Sequence, residues 1–386
     1  MYRETILAHI RAVIALVGLA VVASSGGVAA AATAIDQFKP VTQDRLLRAI
    51  ENPSDWLIYG GSYAGTWFTP LEQIDTTNVD KLAPVWAFSM GVLGGQDGIP
   101  VVNNGVMYIT SAWSKLFALD AKTGTLLWMY EANLPENIAA MLCCDVVNRG
   151  VAVLGDRVFW ATLDGHLLAL DARSGKEIWN VTVADWQAGY TLTAAPLIVK
   201  NKVLIGPGGG EFGIRGFLAA YDVDTGKEAW KTYTVPAPGE PGSETWPGNT
   251  EAWRHGGGAT WLTGAYDAEL NLIYWGTSNP SPVFYGPHRQ GDNLYTSSML
   301  ASTRIPERSS GTSSSRRMTS GIMTASINPC CSTTSGSPME ASWRRHLPRR
   351  TVTDTSTFSI EPTERSSTHI RSSTSTASRS IPRRAR

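Results

Sequence analysis

Adjacent cysteines at Cys143-Cys144 are the first residues in this 386-residue sequence whose types and spacing could do chemistry. In an oxidising compartment neighbours can join, closing a small ring far from the usual disulfide geometry. Strain of that kind is normally kept for a functional site. Two buried thiols, or pairing elsewhere, are the other readings. A glycine run follows, Pro207-Gly-Gly-Gly-Glu-Phe-Gly-Ile-Arg-Gly216, where bare backbone can approach a flat ligand closely. Within it the Glu211 carboxylate could ligate a hard cation; a flexible loop would carry the same composition. In Gly276-Thr-Ser-Asn-Pro-Ser-Pro282, Asn279 could cap a turn or offer its amide oxygen to the same cation. Gly256-Gly-Gly-Ala-Thr-Trp261 sets an indole just after glycines, where its face could stack on a planar group. Core packing is the default for a lone Trp.

The elements that must position these residues repeat. Ala118–Trp128, Ala169–Trp179 and Ala220–Trp230 share the frame Ala-x-Asp-x-x-(Thr/Ser)-Gly-x-x-x-Trp, and Asp120, Asp171 and Asp222 are each 51 residues apart. A fixed period of this size marks a repeat architecture. In each copy an apolar run suits a buried strand, and the Asp carboxylate starts a turn by accepting backbone N–H groups. Gly124, Gly175 and Gly226 sit where such a turn needs positive φ. A second strand then ends on Trp, a side chain that buries a large area and needs a partner for its N–H. Repeated hairpins of this kind predict an all-β chain of four-stranded propeller blades; a plain sandwich is the alternative. Val101–Thr110, Val151–Thr162, Leu197–Ile205 and Leu270–Gly276 read as further strands, and one short helix is expected around Gln43–Glu51.

Thirty-three basic residues balance thirty-three acidic ones, so no net field favours nucleic acid or another polyanion. Residues 1–32 read as a secretory signal. Arg3 and Arg11 flank the start, Ala12–Ala23 is an apolar core, and Ala30-Ala-Ala32 offers small residues for cleavage before Thr33. Export implies a periplasmic or extracellular site where disulfides persist. After Ala301 the texture changes to Ser, Thr, Arg and Pro without a strand pattern, so 302–386 is expected to be a disordered low-complexity tail.

Taken together, these motifs resemble the pyrroloquinoline quinone (PQQ)-dependent alcohol dehydrogenases of the methanol/ethanol dehydrogenase type. The resemblance runs from about Trp56 to Ala301, through Cys143-Cys-Asp-Val-Val-Asn-Arg-Gly150 and then the two motifs holding Glu211 and Asn279. It implies an eight-bladed propeller, about half of it present over 33–301, with the quinone on the axis. It also implies a vicinal Cys143–Cys144 disulfide on one quinone face and Trp261 on the other. Arg149 would hydrogen-bond the reactive oxygens. Thr193 and the backbone of Gly208, Gly209 and Gly210 would hold carboxylates, and Glu211 and Asn279 would bind calcium or a lanthanide. Asp97 falls where the family commonly has Glu, which puts its contact in doubt. The activity implied is periplasmic oxidation of a primary alcohol to an aldehyde, with electrons passed to a cytochrome c.

The family's catalytic base, an Asp in a His-Asp-x-Trp-Asp motif, has no counterpart in the chain. Read one frame over, however, the codons of Ser302–Gly311 can give Asp-Pro-Asp-Thr-Gly-Ala-Leu-Lys-Trp, a fourth copy of the repeat. In the same frame Arg316–Thr324 can give Pro-His-Asp-Val-Trp-Asp-Tyr-Asp, and Phe358–Thr368 can give Leu-Asp-Arg-Thr-Asp-Gly-Ala-Phe-Ile-Tyr. The final Asp of the second stretch resembles the lanthanide-using branch. The expectation is therefore a tail out of frame from codon 302, with Cys330-Cys331 an accident of that shift. The chain itself is then an incomplete, inactive sector. A periplasmic propeller used as a non-enzymatic scaffold would share the repeat. The cysteine pair, Glu211 and Asn279 argue against it, and the adjacent cysteines also disfavour a sugar dehydrogenase using the same quinone.

Overall fold

Asp120, Asp171 and Asp222 each close a turn in the same way. The Asp120 Oδ1 accepts the N–H of Lys122 at 3.0 Å, the N–H of Thr123 at 2.8 Å and the Thr123 hydroxyl at 2.9 Å. Asp171 and Asp222 repeat the pattern with Ser174 and Thr225. Gly124, Gly175 and Gly226 follow at φ 71°, 68° and 68°, in the left-handed region that a side chain disfavours. The computed structural model describes residues 35, 38–303 and 323–326.

Each turn joins the third and fourth strands of an antiparallel meander. The first blade is β1 (Val101–Asn103), β2 (Val106–Ser111), β3 (Lys115–Asp120) and β4 (Leu126–Glu131). The second is β5 (Val151–Leu154), β6 (Arg157–Ala161), β7 (His166–Asp171) and β8 (Glu177–Thr182). The third is β9 (Leu197–Val199), β10 (Lys202–Ile205), β11 (Phe217–Asp222) and β12 (Glu228–Tyr233). The fourth is β13 (Ala265–Asp267), β14 (Leu272–Gly276), β15 (Ser298–Ser302) and β16 (Met323–Ser326). The expected all-β propeller sector is present. The long runs at Val101–Thr110, Val151–Thr162 and Leu197–Ile205 each divide into two strands of a hairpin, because a turn interrupts the apolar pattern. The tail, expected to lack strands, supplies one: Met323–Ser326 pairs with β15, Ser298 opposite Ser326.

Each blade's tryptophan docks on the next blade's turn. Trp128 donates its indole N–H to the Ala172 carbonyl at 3.1 Å, and Trp179 donates to Val223 at 3.2 Å. In both cases the acceptor directly follows the repeat Asp. The ring lies under the turn glycine, so that a Cβ on Gly175 would meet the Trp128 ring at 2.6 Å. Trp86, ahead of the first blade, makes the same contact with Ala121 at 3.2 Å. Trp230 has its Nε1 buried without a hydrogen-bond partner among the described residues. The residues that follow β15, 304–322, lie outside the described residues. The out-of-frame reading and the leader, residues 1–32, also fall almost wholly outside them.

Between the blades the core is apolar. Trp160, Phe159, Tyr108, Leu116, Leu167 and Leu170 are fully buried. The expected helix forms as α1 (Gln43–Leu47), capped by Thr42 accepting the Arg45 N–H at 3.2 Å, and runs on into a 3-10 turn, Ala49–Glu51. Arg45 reaches Asp55 at 2.7 Å and Asn103 at 2.8 Å, fastening the helix to the first blade. Among the described residues no helix is long and apolar enough to cross a membrane.

Gly155 also has positive φ, at 63°, but a Cβ there meets nothing within 4 Å. Gly155→Ala should therefore cost only the backbone strain, about 1 kcal/mol. Gly175→Ala should cost about 1–3 kcal/mol more, because Trp128 must also shift. Urea denaturation of both variants measures the difference; equal costs would mean the docking contact carries no stability.

Candidate cofactor site

In a four-stranded meander the entry to the first strand and the connection from second to third lie at one end, opposite the Asp turns. Every residue singled out for chemistry lies in such a connection. Asp97 precedes β1, Arg149 precedes β5, Thr193 precedes β9 and Trp261 precedes β13. Glu211 lies between β10 and β11, and Asn279 between β14 and β15. Successive entry segments are stitched together. The Ile99 N–H donates to the Arg149 carbonyl at 3.1 Å, and the Arg149 N–H to the Thr193 carbonyl at 3.0 Å. The Thr263 hydroxyl then donates to Ala195 at 2.7 Å, reaching the fourth blade.

Arg149 is the centre of the arrangement. Its Nη2 meets the Asp97 carboxylate at 3.1 Å and its Nη1 reaches the Thr193 carbonyl at 3.5 Å. The guanidinium lies 4.9 Å from the centroid of the Trp261 ring, a cation–π contact. The Arg149 side chain is 13% exposed and Asp97 44%, so one partner is held inside while the other faces solvent. Asp97, one methylene shorter than the family's usual Glu, thus still reaches the arginine. Trp261 is 39% exposed, and part of its face is covered by Arg149. A planar cofactor stacked there would need the guanidinium to shift aside.

Cys143 and Cys144 are joined as a disulfide on the exposed connection between β4 and β5. Asp145 ties that connection to the Asp97 segment: its Oδ2 accepts the Gly95 N–H at 2.8 Å and its Oδ1 its neighbour's N–H, that of Val146, at 2.7 Å. Asn148, fully buried, holds the backbone beside Arg149. Its Oδ1 accepts from Trp160 at 3.2 Å and from the Gly150 N–H at 3.3 Å, while its Nδ2 donates to Ala161 at 2.7 Å. Sequence reasoning missed both supports, although each lies inside the Cys143–Gly150 motif. Tyr59 was missed as well. Burial raises its phenol above the ordinary value, and the nearby Arg149 charge partly opposes that shift.

The three glycine motifs form one layer. The Ala259 N–H donates to the Ser278 hydroxyl at 2.8 Å, and Gly257 bridges both Arg215 and Pro280. A Cβ on Gly210 would meet that Ser278 hydroxyl at 3.0 Å, and one on Gly208 the Thr191 hydroxyl at 3.2 Å. The backbone N–H groups of Gly209 and Gly210 have no backbone partner among the described residues. Free N–H groups beside Thr193, one guanidinium and an indole face suit a planar polyanion such as a quinone carrying carboxylates. Glu211 and Asn279 are exposed. Among the described residues no three His, Cys, Asp or Glu side chains gather as a metal cluster.

Residues 56–303 match the family described as PQQ: glucose/ethanol/alcohol dehydrogenase, beta-propeller domain. The chain belongs to this family of quinoprotein dehydrogenases. It is 43% identical over 285 residues to a quinohemoprotein alcohol dehydrogenase of Pseudomonas putida, covering 70% of this chain and 41% of that protein. It is 40% identical over 279 residues to a lanthanide-dependent methanol dehydrogenase of Methylacidiphilum fumariolicum, covering 67% and 45%. The solved structure of a europium-containing methanol dehydrogenase superposes with a TM-score of 0.63 at 40% identity, covering 67% of this chain and 48% of that one. The chain thus spans less than half the length of these quinoprotein relatives.

Asn148→Ala would leave the buried Trp160 N–H and Ala161 carbonyl unpaired, at a cost of about 1–3 kcal/mol for each group. Urea denaturation followed by tryptophan fluorescence should show a loss of that order; an unchanged midpoint would remove Asn148 as a support of the arginine.

Proposed function

We propose that this chain is the cofactor- and metal-binding sector of a periplasmic PQQ-dependent alcohol dehydrogenase, one that oxidises a primary alcohol to an aldehyde and delivers electrons to a cytochrome c. The observation that carries this reading is the meeting of Arg149 with Asp97, Thr193 and Trp261, with Gly208 so close that a Cβ there would lie 3.7 Å from the Thr193 hydroxyl. The apolar, arginine-flanked leader and the Cys143–Cys144 disulfide support an exported location.

The residues divide the work. Thr193 and the N–H groups of Gly209 and Gly210 would hold the cofactor's carboxylates. The Arg149 guanidinium would donate to its ring oxygens, where a fixed positive charge favours developing negative charge. Asp97 orients that guanidinium through their ion pair. Trp261 and the disulfide would confine the plane and exclude water from its faces. Glu211 and Asn279 would supply oxygen ligands to calcium or a lanthanide, which would serve as a Lewis acid. When bound, the quinone supplies the hydride acceptor for alcohol oxidation. The base that would take the alcohol proton has no counterpart in the sequence, so the chain should bind cofactor without turnover. The shift of frame at codon 302 accounts for that gap. Trp230, with its indole N–H unpartnered where a fourth Asp turn would dock, supports it.

PQQ with calcium or lanthanum should raise the melting temperature and quench tryptophan fluorescence. At about 100 times the dissociation constant the gain would be about 2.7 kcal/mol. Arg149→Ala should abolish the gain, and Glu211→Ala should remove only its metal-dependent part. No shift and no quenching in the unmutated chain would overturn the cofactor reading. Alcohol-dependent dye reduction by this chain alone would overturn the claim that it lacks the base. Resequencing the gene around codon 302 tests the frame: an intact codon count there would sink that account.

A further inference from the structure

Glu211, one of the two oxygen ligands proposed for the cation, has no bond of its own to hold it. Its carboxylate makes no hydrogen bond or ion pair among the described residues. It rides on a single 3-10 turn, Gly210–Phe212, set between Gly209 at φ 93° and Gly213 at φ 71°. Left-handed glycines on both sides leave the direction of the turn to whatever holds its two ends.

Both ends are held by three consecutive residues in the connection between β8 and β9. In front, the Gly208 N–H donates to the Thr191 carbonyl at 2.7 Å, and Gly209 lies so close to Gly189 that a Cβ would overlap the Gly189 carbonyl oxygen. Behind, the Tyr190 hydroxyl uses both of its hydrogen-bonding roles on one residue. It accepts the Arg215 N–H at 3.2 Å and donates to the Arg215 carbonyl at 3.3 Å. Arg215 is itself a fixed point. Its Nε donates to the Val235 carbonyl at 2.8 Å and its Nη2 meets Glu240 at 3.2 Å. The guanidinium lies 4.0 Å from the Tyr233 ring centroid and 4.7 Å from a Trp253 ring centroid. Burial pushes the Tyr190 phenol above its ordinary value, opposed in part by the bond to the Arg215 backbone. The phenol therefore keeps its proton, and with it the donor half of the clamp, across the neutral range.

We infer that Tyr190 is a positioning residue for Glu211: its hydroxyl, closed on the Arg215 backbone, fixes the turn that presents the Glu211 carboxylate to a cation. The hydroxyl acts only through the glycine loop. The inference rests on the proposed function for the cation, although the clamp itself needs no bound group.

Tyr190→Phe removes the hydroxyl and keeps the ring, which packs 5.9 Å from Phe217. Two measurements on the full chain test it. Terbium luminescence titrated with PQQ present, and lost in Glu211→Ala, reads cation affinity. Mass spectrometry of cleavage after Glu211 by a glutamyl endopeptidase reads the order of the turn without metal. Tyr190→Phe should weaken terbium binding about 10-fold, as expected when a group that orients a ligand is lost, and should speed cleavage after Glu211. Tyr221→Phe, which removes a hydroxyl at the opposite end of the same blade, should change neither. Unchanged terbium affinity in Tyr190→Phe would overturn the inference, whatever happens to cleavage or to the urea midpoint. No terbium binding by the unmutated chain would overturn the cation reading and the role given to Tyr190 with it. Faster cleavage in Tyr190→Phe would then show that the clamp exists and that the ligand assignment is what failed.

Discussion

The contact on which the rest of this structure depends is an indole under a glycine turn. Each repeat places a tryptophan on its last strand and an Asp-closed turn at its own base. The turn is closed within its own blade, but the indole is not satisfied there. The indole N–H finds its acceptor only in the carbonyl after the next blade's aspartate, at 3.1 Å for Trp128 and 3.2 Å for Trp179. The ring fits only because the turn residue above it has no Cβ. Side-chain chemistry and backbone conformation are thus tied into one constraint, and it propagates blade by blade. Where that chain of contacts stops, at Trp230, the structure shows a buried N–H without a partner among the described residues.

The same constraint explains where chemistry is possible. Docking at the turn end sets the angle between blades and leaves the opposite end to the connections. There the chain carries its glycine runs, its disulfide and Arg149 between Asp97 and Trp261. These connections are not loose. Backbone bonds run from Ile99 to Arg149 to Thr193, and the buried Asn148 fixes the link beside the arginine. A cofactor site assembled from four separate loops needs such stitching, because a misplacement of about 1 Å in one support is felt in the chemistry.

Family membership and half-length coverage bear on each other. The quinoprotein relatives are more than twice as long as the matched region, and the chain retains the sector that holds Arg149, the disulfide, Glu211 and Asn279. Its exposed apolar side chains, among them Phe68, Ile74, Leu82, Val85 and Leu93, concentrate ahead of the first blade. Apolar surface gathered in one region of a fold is ordinarily covered by something, and here it flanks Trp86 in the sequence.

Much of this was legible in the sequence. The spacing of Asp120, Asp171 and Asp222 was sufficient for the repeat, because a turn that needs Asp, Thr or Ser, and Gly at set offsets leaves little freedom in residue type. The motifs around Cys143, Glu211 and Asn279 were sufficient for the family. What only the tertiary structure decided was which groups meet. Arg149 lies 52 residues from Asp97 and 44 from Thr193, and no local rule joins them. Their contact follows from docked blades that bring one end of every first strand to a common centre. Nor could the sequence show that Arg149 covers Trp261, that Asp145 anchors the disulfide loop to Gly95, or that the Tyr190 hydroxyl closes on the Arg215 backbone. A local pattern specifies turns and strands because their hydrogen bonds lie within a few residues. Contacts between blades depend on how whole sheets pack, and that is settled only when the indoles find their turns.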